Sequence, residues 1–179
     1  MLVGCSSFAV WGNESADGEL LVGRNFDFWV GDDFSRNKVV LFVAPDSGYR
    51  FVSVTWPGMM GVLSGMNERG LTVTINASKG AVPTASALPI SLLARQILQY
   101  AATIDEARRI AAEAQTFVSE SILVASAEEG RAALIEKSPD LQAVYAPAGD
   151  RIISTNHYQS EHFASDPANR ENIATSDSP

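Results

Sequence analysis

The apolar residues of this chain fall mostly in short β-prone runs separated by glycine- and proline-bearing turns, interrupted once by a stretch at helical spacing. Phe8, Val10 and Trp11 predict a strand running out of Cys5, and residues 12–18, with a glycine at each end, predict the turn after it. A second strand runs into Gly23-Arg24-Asn25-Phe26-Asp27-Phe28, so a hairpin of the two would return Arg24 and Asp27 close to Cys5. The run Lys38-Val-Val-Leu-Phe-Val43, apolar after its lysine, predicts a buried strand, and the alternation over 49–56 predicts a strand pairing back after the turn at 44–48. Asn67-Glu68-Arg69-Gly70 precedes the β-prone run 71–76 and predicts a hairpin turn in which Gly70 supplies the positive φ.

The period then changes. Residues 77–96 begin as small residues and prolines, a loop suited to a substrate rim, and Pro89 fits the first turn of a helix. Ile90, Leu93, Ile97 and Tyr100 or Ala101 recur at helical spacing. Thr103 and Glu106 form a capping box ahead of a second stripe, Ala107, Ile110, Ala111 and Ala114. Both stripes read as core faces packing on a sheet. Short strands resume at 121–125, 132–136, 141–145 and 152–155. Residues 159–179 are polar and poor in aliphatics, which predicts an exposed segment or tail. Strands, two adjacent helices, then strands again predict an α+β fold with helices on antiparallel sheets and no βαβ alternation. The division expected is a leader at 1–4, one domain at 5–158, and the polar segment at 159–179.

Composition narrows the function. A formal charge of −8 with no basic run argues against a nucleic-acid partner. No apolar stretch reaches the ~18 residues of a membrane span, so no membrane partner is expected. The four residues ahead of Cys5 are too few for a secretory signal, and a cytoplasmic location is favoured if Met1 is the true start. One cysteine allows no internal disulfide, and two histidines with it offer no metal-ligand spacing, so neither metal nor cofactor is expected. Homo-oligomerisation is left open.

The remaining chemistry converges on Cys5. A lone cysteine is usually a small buried hydrophobe. Cleavage of the Gly4–Cys5 bond would instead place a thiol and a free α-amine on one residue. An α-amine titrates near ~8, so it is partly neutral at pH 7 and can serve as the base for the thiol. Three readings stand: this one, a papain-like pairing of Cys5 with His157 or His162 beside Asn156, and a partner-binding domain without catalysis.

Gly4-Cys5-Ser6-Ser7 followed by Arg24-Asn25-Phe26-Asp27 resembles the N-terminal nucleophile (Ntn) hydrolases, in the group of choloylglycine hydrolases, penicillin V acylases and isopenicillin N acyltransferase. The turn at 65–71 ahead of Asn76, and the Thr155-Asn156 pair, resemble the same group over most of the chain, from Cys5 to about Tyr158. Ser176-Asp177-Ser178-Pro179 resembles the turn that precedes an arginine-bearing segment in family members. The resemblance implies a four-layer αββα sandwich, of which these 179 residues are either a fragment or a version that manages without that arginine-bearing segment. It implies an amidohydrolase or acyltransferase cleaving a linear amide C–N bond of a small acyl amide through an acyl-thioester on Cys5. In that scheme Arg24 lies beside the sulfur, Asp27 orients the amine, Asn76 helps stabilise the oxyanion and Asn156 holds the nucleophile's surroundings. Trp29, Phe34 and Trp56 near the expected rim suit an apolar acyl group.

Overall fold

A computed structural model describes residues 3–28, 31, 36–80 and 86–175. Trp29, Phe34, the first two residues and the 176–179 turn lie outside the described residues, as does part of the expected rim loop. Among the described residues, ten strands and three α-helices follow one another as β1 (Val3–Val10), β2 (Leu21–Phe28), β3 (Val39–Val43), β4 (Phe51–Thr55), β5 (Ser64–Asn67), β6 (Leu71–Ala77), α1 (Ile90–Tyr100), α2 (Ile104–Glu113), β7 (Glu120–Ser126), β8 (Arg131–Lys137), β9 (Gln142–Tyr145), β10 (Arg151–Ser154) and α3 (Pro167–Thr175). They form two antiparallel sheets, one ordered β3-β4-β5-β6-β7-β8-β9 and one ordered β10-β1-β2.

Strand side chains alternate between faces, and this divides the seven-stranded sheet into two apolar surfaces. Val73, Ile75, Ile122, Val124, Ala133 and Ile135 pack on Leu93, Ala94, Ile97 and Leu98 of α1 and on Ala107 and Ala111 of α2. Leu123, Ala125, Ala132 and Leu134 face the other way, against Ala9, Trp11 and Ile152 of the small sheet. Truncating one of the fully buried leucines, such as Leu98, to alanine costs about 2–5 kcal/mol through lost burial and the cavity left. The result is helices, large sheet and small sheet in that order. The outer face of the small sheet carries no helix among the described residues, and Phe8, Leu21 and Ile153 are about half exposed there.

The turn chemistry is as the sequence predicts. Gly70 takes φ +73 and its N–H closes the turn onto Asn67. Thr103 Oγ1 accepts from the Glu106 N–H, while the Glu106 carboxylate accepts from Ala102 N, one residue further back than in a simple capping box. Residues 159–175 depart from the exposed tail expected of them. They form a 3₁₀ turn at Glu161–Phe163 and then α3, and bury Phe163, Asn169 and Asn172. Phe163 stacks on Tyr158 at 4.0 Å.

Candidate active site

Register builds the site. Cys5 pairs with Phe26 and Ser7 with Arg24 across the hairpin, and Ser7 pairs with Ser154 on the other side. Residues two apart share a face, so Cys5, Ser7, Arg24 and Phe26 all point into the space between the sheets. Cys5 is a free thiol, 3% exposed. Arg24 reaches it from the neighbouring strand, with Nη2 3.7 Å from Sγ. The same guanidinium donates to the carbonyls of Leu63 and Ile75 and to the Ser64 hydroxyl, and lies 4.6 Å over the Phe26 ring. Its fork is thereby fixed, as an ammonium could not be. Burial lowers the pKa of Arg24, opposed by Cys5 and Glu120, yet an arginine keeps its charge.

The nitrogen of Cys5 is held separately. Strand β10 ends at Ser154, and two residues further along the same register Cys5 faces Asn156. There the Asn156 side chain replaces the ladder: Oδ1 accepts from Cys5 N at 2.8 Å, and Nδ2 donates to Ala77 O at 2.7 Å. Asn156 is only 4% exposed. Cys5, Arg24 and Asn156 are thus brought together.

Asn76 and Asp27 stand differently. Asn76 is buried between the sheets, but its amide donates to both the carbonyl and the hydroxyl of Ser154 while its Oδ1 accepts from Ser7. In this rotamer it clamps the sheets and has no hydrogen left for an oxyanion. Asp27 is exposed and lies on the opposite face of β2 from Arg24, with its carboxylate accepting from Asn25. The reason is the strand period, because residues three apart cannot share a face. Asp27 nonetheless pairs with Gly4, the residue joined to Cys5, and its carboxylate borders that glycine. Asn67, the other asparagine near the turn, is committed to the fold, donating to the last carbonyls of α1 and accepting from Arg69 and Leu71.

Cys5 lies within strand β1 and not at a helix N-terminus of the kind that stabilises a papain-type thiolate. His157 Nδ1 bonds Thr155 Oγ1, and His162 is exposed in the 3₁₀ turn. Glu120 is a residue the sequence did not single out, since a glutamate at a strand start reads as surface. It is 9% exposed, Oε2 has no partner among the described residues, and burial pushes its carboxyl up to about 8 against the opposing charge of Arg24. Beside Arg24 a hollow of about 460 Å³ is lined by Phe26, Trp56, Val54, Leu63 and Ser64. Trp56 packs on Phe26 at 5.6 Å, which places at the site the one expected rim aromatic that lies among the described residues.

Known proteins bear on this geometry. The fold is similar to that of the Caenorhabditis elegans ortholog of N-acylethanolamine-hydrolyzing acid amidase, with TM-score 0.69 and 18% identity over 95% of this chain and 77% of that one. It is similar to a conjugated bile acid hydrolase from Clostridium perfringens, with TM-score 0.61 and 14% identity over 89% of this chain and 55% of that one. Penicillin V acylase from Agrobacterium tumefaciens gives TM-score 0.55 and 19% identity over 83% and 51%. The stacked antiparallel sheets are therefore those of the Ntn hydrolase fold. An uncharacterized protein of Archaeoglobus fulgidus is 33% identical over 59% of this chain, and protein dcd1B of Dictyostelium discoideum is 26% identical over 79%. The chain spans only 18% and 29% of those two curated relatives. The model of the acyl-coenzyme A:6-aminopenicillanic acid acyl-transferase family matches residues 13–178, a stretch that holds Arg24, Asp27, Asn76 and Asn156 and begins after Cys5. This chain belongs to the acyl-coenzyme A:6-aminopenicillanic acid acyl-transferase family.

Proposed function

We propose that this chain carries the nucleophile of an Ntn amidohydrolase or acyltransferase, with Cys5 as the attacking residue once residues 1–4 are removed. The observation that supports it is the separate holding of one residue's two reactive atoms: Arg24 beside the sulfur and Asn156 on the nitrogen. A cysteine that only filled the core would need neither. In this reading the freed α-amine takes the thiol proton as Sγ attacks the amide carbonyl. The amine then returns that proton to the departing amine as the C–N bond breaks and an acyl-thioester remains. Water releases the acid, or a second amine takes the acyl group. Arg24 stabilises the thiolate. Asp27, bordering Gly4, receives the ammonium created when the Gly4–Cys5 bond is cut. The part given to Asn76 is to hold the two sheets in register below the nucleophile, since its donors go to Ser154. The hollow walled by Phe26 and Trp56 suits an apolar acyl group on a small amide.

Intact-mass measurement and N-terminal sequencing of the natural full-length product test this reading. The expected chain begins at Cys5, and Cys5→Ala keeps residues 1–4 and turns over no amide. A stable uncut chain that hydrolyses an amide would sink it.

A further inference from the structure

Helix α3 is attached by an unusual means. Its buried side chains are two asparagines, Asn169 and Asn172, and it has no apolar stripe. Buried amides need partners, and each of these has a different one. Asn169 Oδ1 accepts from Tyr158 N, and its Nδ2 donates to the carbonyls of Tyr158 and Phe163. Asn172 Nδ2 donates to the backbone carbonyl of Asn156, whose side chain holds Cys5 N. The 155–160 segment between them is fastened from the sheet as well: Tyr158 Oη donates to Lys137 O, and the carboxylate of Glu136 accepts from Gln159 N and Ser160 N. Of these contacts, the one from Asn172 is made to the residue whose side chain holds Cys5 N, and it adds to the bond from Asn156 Nδ2 to Ala77 O.

We infer that Asn172 is a positioning residue for Cys5, acting through Asn156. The inference rests on the reading of Cys5 as an N-terminal nucleophile and extends it to a helix outside the motifs that carry the family resemblance. The route is short: the α3 amide fixes the Asn156 backbone, which fixes the Asn156 side chain, whose Oδ1 fixes the nitrogen that becomes the base. A hydrogen-bond acceptor on that nitrogen favours its ammonium form, and an ammonium beside the thiol favours the thiolate. Loss of the Asn172 donor loosens Asn156 and so weakens both effects.

The pH dependence of Cys5 alkylation by iodoacetamide, read by mass on the full natural chain, tests this without knowledge of the substrate. Asn172→Ala is expected to move the midpoint of alkylation up by about half a pH unit. Asn169→Ala loosens the same helix through Tyr158 and Phe163 and not through Asn156, and is expected to leave the midpoint in place, whatever it does to the melting temperature. Equal shifts in the two variants, or none in either, would overturn the inference. Should Asn172→Ala fail to fold, Asn172→Asp has the same shape, exchanges the donor for an acceptor, and is expected to show the same upward shift. Wild-type protein that keeps residues 1–4 would sink the underlying amine-base reading by itself, before any α3 variant is compared.

Discussion

The hydroxyl of Ser7 donates to Asn76 Oδ1 at 3.0 Å across the gap between the two sheets. Thr74 Oγ1 donates to the same hydroxyl at 2.8 Å, and Ser154 takes both amide hydrogens of Asn76. The sheet interface is therefore polar under Cys5 and apolar further along, where Ala9, Trp11 and Leu123 meet. Asn76→Ala removes the hub and leaves buried partners unpaired, at a cost of about 1–3 kcal/mol each. The expected result is a melting temperature lower by several degrees, read by circular dichroism, with turnover per folded molecule reduced less than tenfold. An unchanged melting temperature with turnover down about a hundredfold would restore Asn76 to the oxyanion role that its motif implies.

Arg24 makes a separate prediction about the thiol. A guanidinium 3.7 Å from the sulfur favours the reactive thiolate over the thiol. Arg24→Met removes the charge, and iodoacetamide labelling of Cys5 at pH 7 should slow about tenfold or more. Arg24→Lys keeps a charge but cannot span the Leu63 and Ile75 carbonyls and the sulfur together, so it should fall between the two. Labelling at the wild-type rate in folded Arg24→Met protein would remove Arg24 from the nucleophile's activation.

Glu120 predicts a stability profile. Burial raises its carboxyl to about 8, from 4.5 for the unburied group. Between those values the native state holds a proton that the unfolded state has lost, so stability declines as pH rises through the window. The contribution is fully present below about pH 4.5 and gone above about pH 8. Glu120→Gln cannot ionise, and its melting temperature should fall less than wild type's between pH 5 and 8. Parallel curves for the two proteins would mean that Glu120 is already ionised in the native state, held by Arg24 or Lys137, its neighbour across β7 and β8.

Much of this was legible in the sequence. The hairpins follow from the β-prone runs and their glycine turns, and the helices from apolar stripes that meet one face of a sheet. Cys5, Arg24 and Asn156, each singled out from its own motif, lie together in the fold. Asp27 was readable too, because the strand period that turns Arg24 inward turns Asp27 outward. What escaped was polar burial. Glu120, Asn169 and Asn172 lie in the interior through hydrogen bonds or an untitrated carboxyl, and neither leaves an apolar pattern to read. For the same reason residues 159–175 looked like a tail.

The histidines provide the last discrimination. Burial lowers the pKa of His157, with Glu136 opposing, so its imidazole loses its proton below the ordinary value of about 6.5. Were it the base, the rising limb of kcat/KM against pH would lie below that value. An α-amine near ~8 places the limb higher. His157 spends Nδ1 on Thr155, and His162 is exposed in its turn. His157→Ala and His162→Ala should therefore leave both the rising limb and the iodoacetamide labelling of Cys5 in place, because that limb reports the free enzyme's base. If His157→Ala abolishes the limb and the labelling together, Cys5 works with an imidazole, and the papain-like pairing displaces the N-terminal amine.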